Sequence, residues 1–377
     1  MTYRADPNAL QQARPAFWRL SLSATPRLFF TTWPRPLQWL ALIILAGAAG
    51  QLLKNAELPA GQFIGPMLVA IGFGVSGAHI RIHRQVFRLS QGCIGLLAAH
   101  SMTLAVLTSM AQSWQLMLFA TVLTVCLSAL VGLAMVRFGG IKASTAAWGT
   151  SPGAASAMVL MADDFGADGR VVATMQYVRV VCVVVIGALV SHILEAPVNG
   201  TDVHVADTAL HSFSPVNLGL TLAVAMLGML LGAHIPAGAL LVPLLIGGAL
   251  QLSGLLHITL PAGLLAVAYG AIGCFVGLRF DRPTVLYVWK QLPTMILGAI
   301  SLIALCAASA WVLAKWLGLD FLSVYLATSP GGLDTMAIIA VDTHSDVGLV
   351  LAMQTLRLLA VIFTGAFFAR LVIRLAR

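Results

Sequence analysis

One stretch of this chain is written twice. Residues 150–179 carry Thr150-Ser151-Pro152-Gly153, then Met158, Asp164, Asp168, Met175, Gln176 and Arg179. Residues 328–357 carry Thr328-Ser329-Pro330-Gly331, then Met336, Asp342, Asp346, Met353, Gln354 and Arg357, each 178 positions after its counterpart. A shared tetrapeptide would say little. A gapless register that takes in nearly every polar residue of two apolar regions marks an internal repeat, so the fold is expected to have two like halves. The echo extends upstream, where Leu58-Pro59-Ala60-Gly61 returns as Ile235-Pro236-Ala237-Gly238, Pro66 as Pro243 and Ser76-Gly77 as Ser253-Gly254, 177 positions on.

Composition decides the solvent these halves meet. Apolar residues make up 59% of the 377 and charged residues only 9%, where a soluble domain would carry about a quarter charged. Apolar runs near 37–53, 62–79, 89–110, 115–136 and 171–193 are answered by runs near 215–233, 239–256, 260–279, 292–314 and 347–369. Several approach the roughly 20 residues that cross a bilayer. The expected fold class is an all-α polytopic membrane protein of two inverted repeats. Each repeat has about five transmembrane helices plus an interrupted, re-entrant helix at its Ser-Pro-Gly.

The expected organisation is a basic cytoplasmic tail at 1–36, a first membrane repeat at 37–194, a periplasmic linker at 195–214 and a second repeat at 215–377. The linker carries Glu195, Asp202 and Asp207 and no Lys or Arg. No apolar core followed by a small-residue cleavage site precedes the first long run, so no cleavable signal is expected. The five cysteines (93, 126, 182, 274 and 306) lie inside apolar runs without a CxxC and read as packing residues.

Charge argues for inversion. If each repeated stretch is re-entrant, the halves have five crossings apiece and opposite orientation, and 17 of the 21 Lys and Arg face the cytoplasm together with both termini. If each stretch crosses fully, Arg279, Arg282 and Lys290 face outward, against the positive-inside rule.

The repeated stretch also carries the candidate site: Ser151, Pro152, Gly153, Gln176 and Arg179 with Ser329, Pro330, Gly331, Gly332, Asp334, Gln354 and Arg357. Asp164, Asp168, Asp342 and Asp346 are the ion or proton candidates. Proline and glycine break helices, and a break within a membrane must be buried in protein or line a wet cavity. Ser151 and Ser329 are expected as N-caps of half-helices whose N-termini suit an anion; freed carbonyls would suit a cation. Arg179 and Arg357 stand inside apolar runs with a glutamine three residues earlier, on the same helical face. Asp168 and Asp346, about three turns before them, would share that side if the helix extends that far. Two readings follow for the arginines: salt bridges between repeats, or contacts to an anionic solute. On the second, Arg357→Lys should weaken the anion's binding and leave the fold intact. Asp334 and His344 occur only in the second copy, opposite Ser156 and Gly166.

Inverted repeats with matched helix breaks are the pattern of secondary transporters. The Ser329-Pro330-Gly331-Gly332, Asp334, Met336, Gln354 and Arg357 set, duplicated over nearly all the chain after residue 37, resembles the AbrB-duplication family of bacterial inner-membrane proteins. The first copy departs from it, with Ala154 for the second glycine and Ser156 for the acid. The resemblance brings labels of regulator of gene expression and of ammonia monooxygenase, and a general likeness to ion-coupled transporters. An oxygenase needs clustered ligands, but the nine histidines are dispersed, and the one pair at ligand spacing, His79 and His83, is flanked by Arg81 and Arg84. A direct DNA-binding regulator needs a basic soluble module, which the chain lacks, so no nucleic-acid partner is expected.

The expectation is therefore an inner-membrane secondary transporter of a small anionic or amino-acid-like solute, coupled to Na+ or H+. Its partners are the lipid bilayer, the solute and a second copy of the chain, with no cofactor and no enzymatic activity. A membrane sensor acting indirectly on gene expression is the alternative. Topology is testable first. A cysteine placed in loop 196–214 of a cysteine-free background should react with an impermeant thiol reagent on intact cells, and one in loop 280–291 only after permeabilisation; equal labelling at both would sink the inverted arrangement.

Overall fold

The computed structural model describes residues 33–100, 114–152, 158, 162, 166–194, 215–232, 238–343 and 345–375. The linker and most of the N-terminal tail discussed above lie outside these residues. Among the described residues there is no β-strand; the chain forms helices joined by short turns.

In the first half these are α1 (Arg35–Asn55), α2 (Gly61–Val75), α3 (Arg84–His100), α4 (Trp114–Gly139), α5 (Ala143–Thr150) and α6 (Gly169–Ile193). In the second they are α7 (Pro215–Leu231), α8 (Gly238–Leu252), α9 (Ala262–Gly277), α10 (Arg282–Val288), α11 (Leu292–Leu317), α12 (Phe321–Thr328), α13 (Leu333–Asp342) and α14 (Val347–Leu375). The sequence repeat survives as structure. Helices α3 and α9, α4 and α11, α5 and α12, and α6 and α14 each begin 178 positions apart, and α2 and α8 begin 177 apart.

Among the described residues, four helices are long and apolar enough to cross a bilayer: Arg35–Asn55, Met117–Gly139, Gly169–Ile193 and Leu292–Leu317. A fifth span arises if α9 and α10, bent by 50°, are taken together. Leu40, Ile43 and Ile44 on α1 and Leu297 and Val312 on α11 are exposed, which in water would leave large apolar patches. The chain is a multi-pass membrane protein. Several of the other elements are shorter than the runs read from sequence. Helix α2 stops at Val75 because Gly77 takes a φ of 88°, and α8 stops at Leu252 before Gly254, with a φ of 73°.

The helices sort into two bundles. One joins α1–α3 to α7–α9, with α2 packed on α9 and α3 on α8; the other joins α4–α6 to α11–α14, with α4 packed on α11 and α14, and α6 on α11. Pairs within each bundle thus exchange partners between the halves. Close backbone approach makes the first bundle. A Cβ on Gly95 would stand 2.2 Å from the Leu240 carbonyl oxygen, and one on Gly273 would stand 2.4 Å from that of Phe63.

These contacts also give directions. Phe63 lies by Gly273 and Met67 by Gly277, so α2 and α9 run parallel. Gly139 lies against Thr294 and Gly298 against Met135, so α4 and α11 run antiparallel.

Small residues matter here because helices in lipid associate through packing, with little hydrophobic drive. Gly95→Val should destabilise the purified protein by about 1–3 kcal/mol, as overpacking does. Gly263→Val, at an exposed site with nothing within 4 Å of a Cβ, should melt within a degree or two of the parent in detergent. Equal melting of the two variants would contradict this packing.

Candidate functional site

Helices α5 and α12 each last eight residues and stop at the repeated tetrapeptide. A residue before proline is forced out of the helical region by the proline ring. Ser151 (ψ 127°) and Ser329 (ψ 144°) are both extended accordingly. The serines therefore end helices and do not begin them. They are C-caps, which corrects the N-cap expectation, and the N-cap of α13 is Gly332. Gly153 and Asp164 lie outside the described residues, as does His344.

Each stop leaves carbonyl oxygens without an intrahelical donor. In the first half Gln176 Nε2 donates to the carbonyls of Trp148 (2.9 Å) and Ser151 (3.0 Å). The Arg179 guanidinium donates to those of Ser151 (2.9 Å) and Thr150 (3.3 Å), and to Gln176 Oε1 at 2.7 Å. In the second half Gln354 Nε2 donates to the carbonyls of Leu326 (2.9 Å) and Ser329 (3.2 Å). Arg357 donates to those of Ser329 (2.5 Å) and Gly331 (2.9 Å) and to Gln354 Oε1.

Trp148 and Leu326, Ser151 and Ser329, Gln176 and Gln354, and Arg179 and Arg357 are all 178 apart, so the repeat preserves a bonding pattern. All four glutamine and arginine side chains are buried. Their recorded bonds go to carbonyls and to one another, with no aspartate among them. The cation that the freed carbonyls call for is the protein's own guanidinium. Each Nε is buried without a partner among the described residues.

Helices α6 and α14 do not extend back through Asp168 and Asp346, which stand one residue before them and are occupied at the helix starts. Asp168 Oδ1 accepts from the N–H of Arg170 (3.0 Å) and of Val171 (3.4 Å). Asp346 Oδ1 accepts from that of Leu349 at 2.9 Å. Their own N–H groups donate to Thr145 Oγ1 and Ser323 Oγ, again 178 apart. Partial burial pushes the Asp168 carboxyl up. The Tyr287 hydroxyl, the two backbone donors and the nearby Arg170 charge outweigh that and hold it below the ordinary carboxylate value.

Two other carboxylates bridge the bundles. Asp334, half-buried in the first turn of α13, accepts from Gln91 Nε2 of α3 at 2.7 Å. Asp342, at the end of α13, accepts from the Ala60 N–H at 2.8 Å, at the start of α2. Neither has a cation at ion-pair distance among the described residues, where the one ion pair is Arg81 with Asp281. Gln91 was missed in the sequence; its signal was a lone amide beside Gly92 and Gly95 in an apolar run.

The chain matches the family described as "Transition state regulatory protein AbrB" over residues 63–373. It belongs to the AbrB family. It is similar to a protein of Escherichia coli (strain K12) named "Putative regulator AbrB", 39% identical over 340 residues that cover 89% of this chain and 97% of that one. It is also similar to "Uncharacterized protein YhjN" of Bacillus subtilis (strain 168), 24% identical over 352 residues, or 87% of this chain and 91% of that one. No solved structure matches it. For this AbrB-family chain the arginine network reads first as a demand of the backbone.

Lysine lacks the planar fork that reaches two carbonyls and the amide together. Arg357→Lys should therefore destabilise the fold, by about 1–3 kcal/mol for stranded buried acceptors. Arg137→Lys, at an exposed helix end, should not. Matching melts for parent and Arg357→Lys in detergent would remove the capping role and restore the expectation drawn from sequence.

Proposed function

We propose that this protein is an ion-coupled secondary transporter of the bacterial inner membrane, moving a small anionic or amino-acid-like solute at the junction of its two bundles. The observation that carries this reading is Asp334: a carboxylate on the first turn after a helix break, joined across the bundle junction to Gln91, without a cation partner among the described residues. An acid at membrane depth costs about 2.5–3.5 kcal/mol on insertion scales and marks proton or ion pathways. Protonation, or a bound Na+, would change the Asp334–Gln91 contact and so bias the position of one bundle against the other.

The halves are read as inverted, with both termini in the cytoplasm. The antiparallel packing of the counterparts α4 and α11 supports this, since a two-fold relating such helices lies across them. The gathering of Arg81, Arg170 and Arg279 around one cavity adds to it. The breaks at Pro152 and Pro330 are read as re-entrant positions flanking the central site. Asp334 also places a negative charge at the α13 N-terminus, which meets the helix dipole there and disfavours a second anion at that point. Cation or proton coupling therefore belongs to the second break. The names of the relatives favour the alternative, a membrane sensor acting on gene expression; it shares the binding site and differs in moving nothing.

The test is proteoliposomes loaded with a pH-sensitive and a sodium-sensitive dye and challenged with a panel of small organic anions and amino acids, with and without a sodium gradient. At least one solute should drive a proton or sodium flux, and Asp334→Asn should abolish it while the protein still folds. A solute that binds and produces no flux under any gradient would replace the transporter with the sensor.

A further inference from the structure

A cavity of about 800 Å³ opens at one end of the seam between the bundles, within the range of small-molecule sites. Its walls come from the turn before α3, the start of α6 and the junction of α9 with α10. Three arginines, Arg81, Arg170 and Arg279, and two aspartates, Asp168 and Asp281, line it.

The aspartates are engaged. Asp168 caps α6 through one oxygen and accepts the Tyr287 hydroxyl at 2.7 Å through the other. Asp281 caps α10 through the Thr284 N–H at 3.1 Å and stands 3.8 Å from Arg81. Among the described residues, Arg170 and Arg279 have no carboxylate within ion-pair distance. Both lie near aromatic rings. Arg279 lies 4.5 Å from the Phe275 ring centre and 5.8 Å from that of Tyr177, which stands on the opposite bundle. Arg170 lies 6.0 Å from the Tyr287 ring. A guanidinium attracted to a ring face keeps N–H groups available for an oxyanion.

We propose that this mouth is a binding site for an anion presenting carboxylate or phosphate oxygens, gripped by Arg170 and Arg279 from opposite bundles. Because the grip spans the seam, an occupant ties the bundles together at this end. The site is separate from both helix breaks, and binding there does not depend on whether the protein transports. The oxygens could belong to a soluble organic anion or to the headgroup of an anionic lipid, and the two sources separate experimentally.

The full chain is placed in phosphatidylcholine nanodiscs and its melting midpoint is followed against citrate and glycerol 3-phosphate, with sodium chloride at matched ionic strength. A second arm replaces the soluble probes with phosphatidylglycerol in the disc. A stabilisation above the chloride control in either arm is expected. Arg170→Gln with Arg279→Gln should weaken it about tenfold or more, as loss of charged hydrogen bonds does. Arg279→Lys should fall between, since charge stays while fork and stacking go. If the double variant does not fold, each single variant, at an exposed position, serves in its place. No stabilisation above chloride in either arm would overturn the site. So would an equal loss in Arg137→Gln, which lies outside the cavity.

Discussion

A helix that stops inside a bundle leaves carbonyl oxygens where neither water nor the next turn can reach them. Lipid offers no donor, so a membrane protein can interrupt a helix only where it supplies donors from elsewhere in the chain. Here α6 and α14 bring a glutamine and an arginine, one helical turn apart, to the ends of α5 and α12. The glutamine oxygen in turn accepts from the guanidinium, so each amide is oriented and each arginine is locked in place. Partial negative charge at a helix C-terminus meets a full positive charge without a carboxylate partner. That solves two costs together, because an unpaired arginine and an unpaired set of carbonyls would each be expensive to bury.

The same network places the rest of the second bundle. Locking α5 to α6 and α12 to α14 makes each broken helix a parallel pair with the long helix that ends its repeat. The bonds of Asp168 to Thr145 and of Asp346 to Ser323 tie the starts of the two helices in each pair. What is left less tied is the seam to the first bundle. Single polar contacts cross it at Asp334 and Asp342, and it widens into the arginine-lined mouth. Strong ties within bundles and a few polar ties between them are what rocking of one body against another requires.

Much of this was legible in the sequence. The register of 178 residues located the matched elements, the prolines located the helix ends, and the spacing of Gln176 and Arg179 placed both on one face. Three things were not. The direction of the caps was misread because serine is a common N-cap, while the rule that decided the matter is the steric effect of proline on the residue before it. The partners of the arginines were invisible because a carbonyl belongs to every residue, so no residue type announces it as an acceptor. The Asp334–Gln91 contact joins residues 243 positions apart in different halves, and no local pattern pairs them.

A duplicated chain keeps in both copies what its backbone demands, and this separates architecture from chemistry. The glutamine, the arginine, the capping aspartate and the hydroxyl that receives its N–H recur at the same offset, as the two helix ends require. Asp334 does not recur. The positions 178 away from Asp334 and Gln91 are Ser156 and Tyr269, so neither the acid nor the amide of this contact recurs in the other half. A carboxylate at membrane depth carries a cost that a capping role would not justify, and the first copy has Ser156 at the position of Asp334. The single-copy acid at the seam is thus the feature least explained by folding, which is why the proposed coupling rests on it and not on the duplicated arginines.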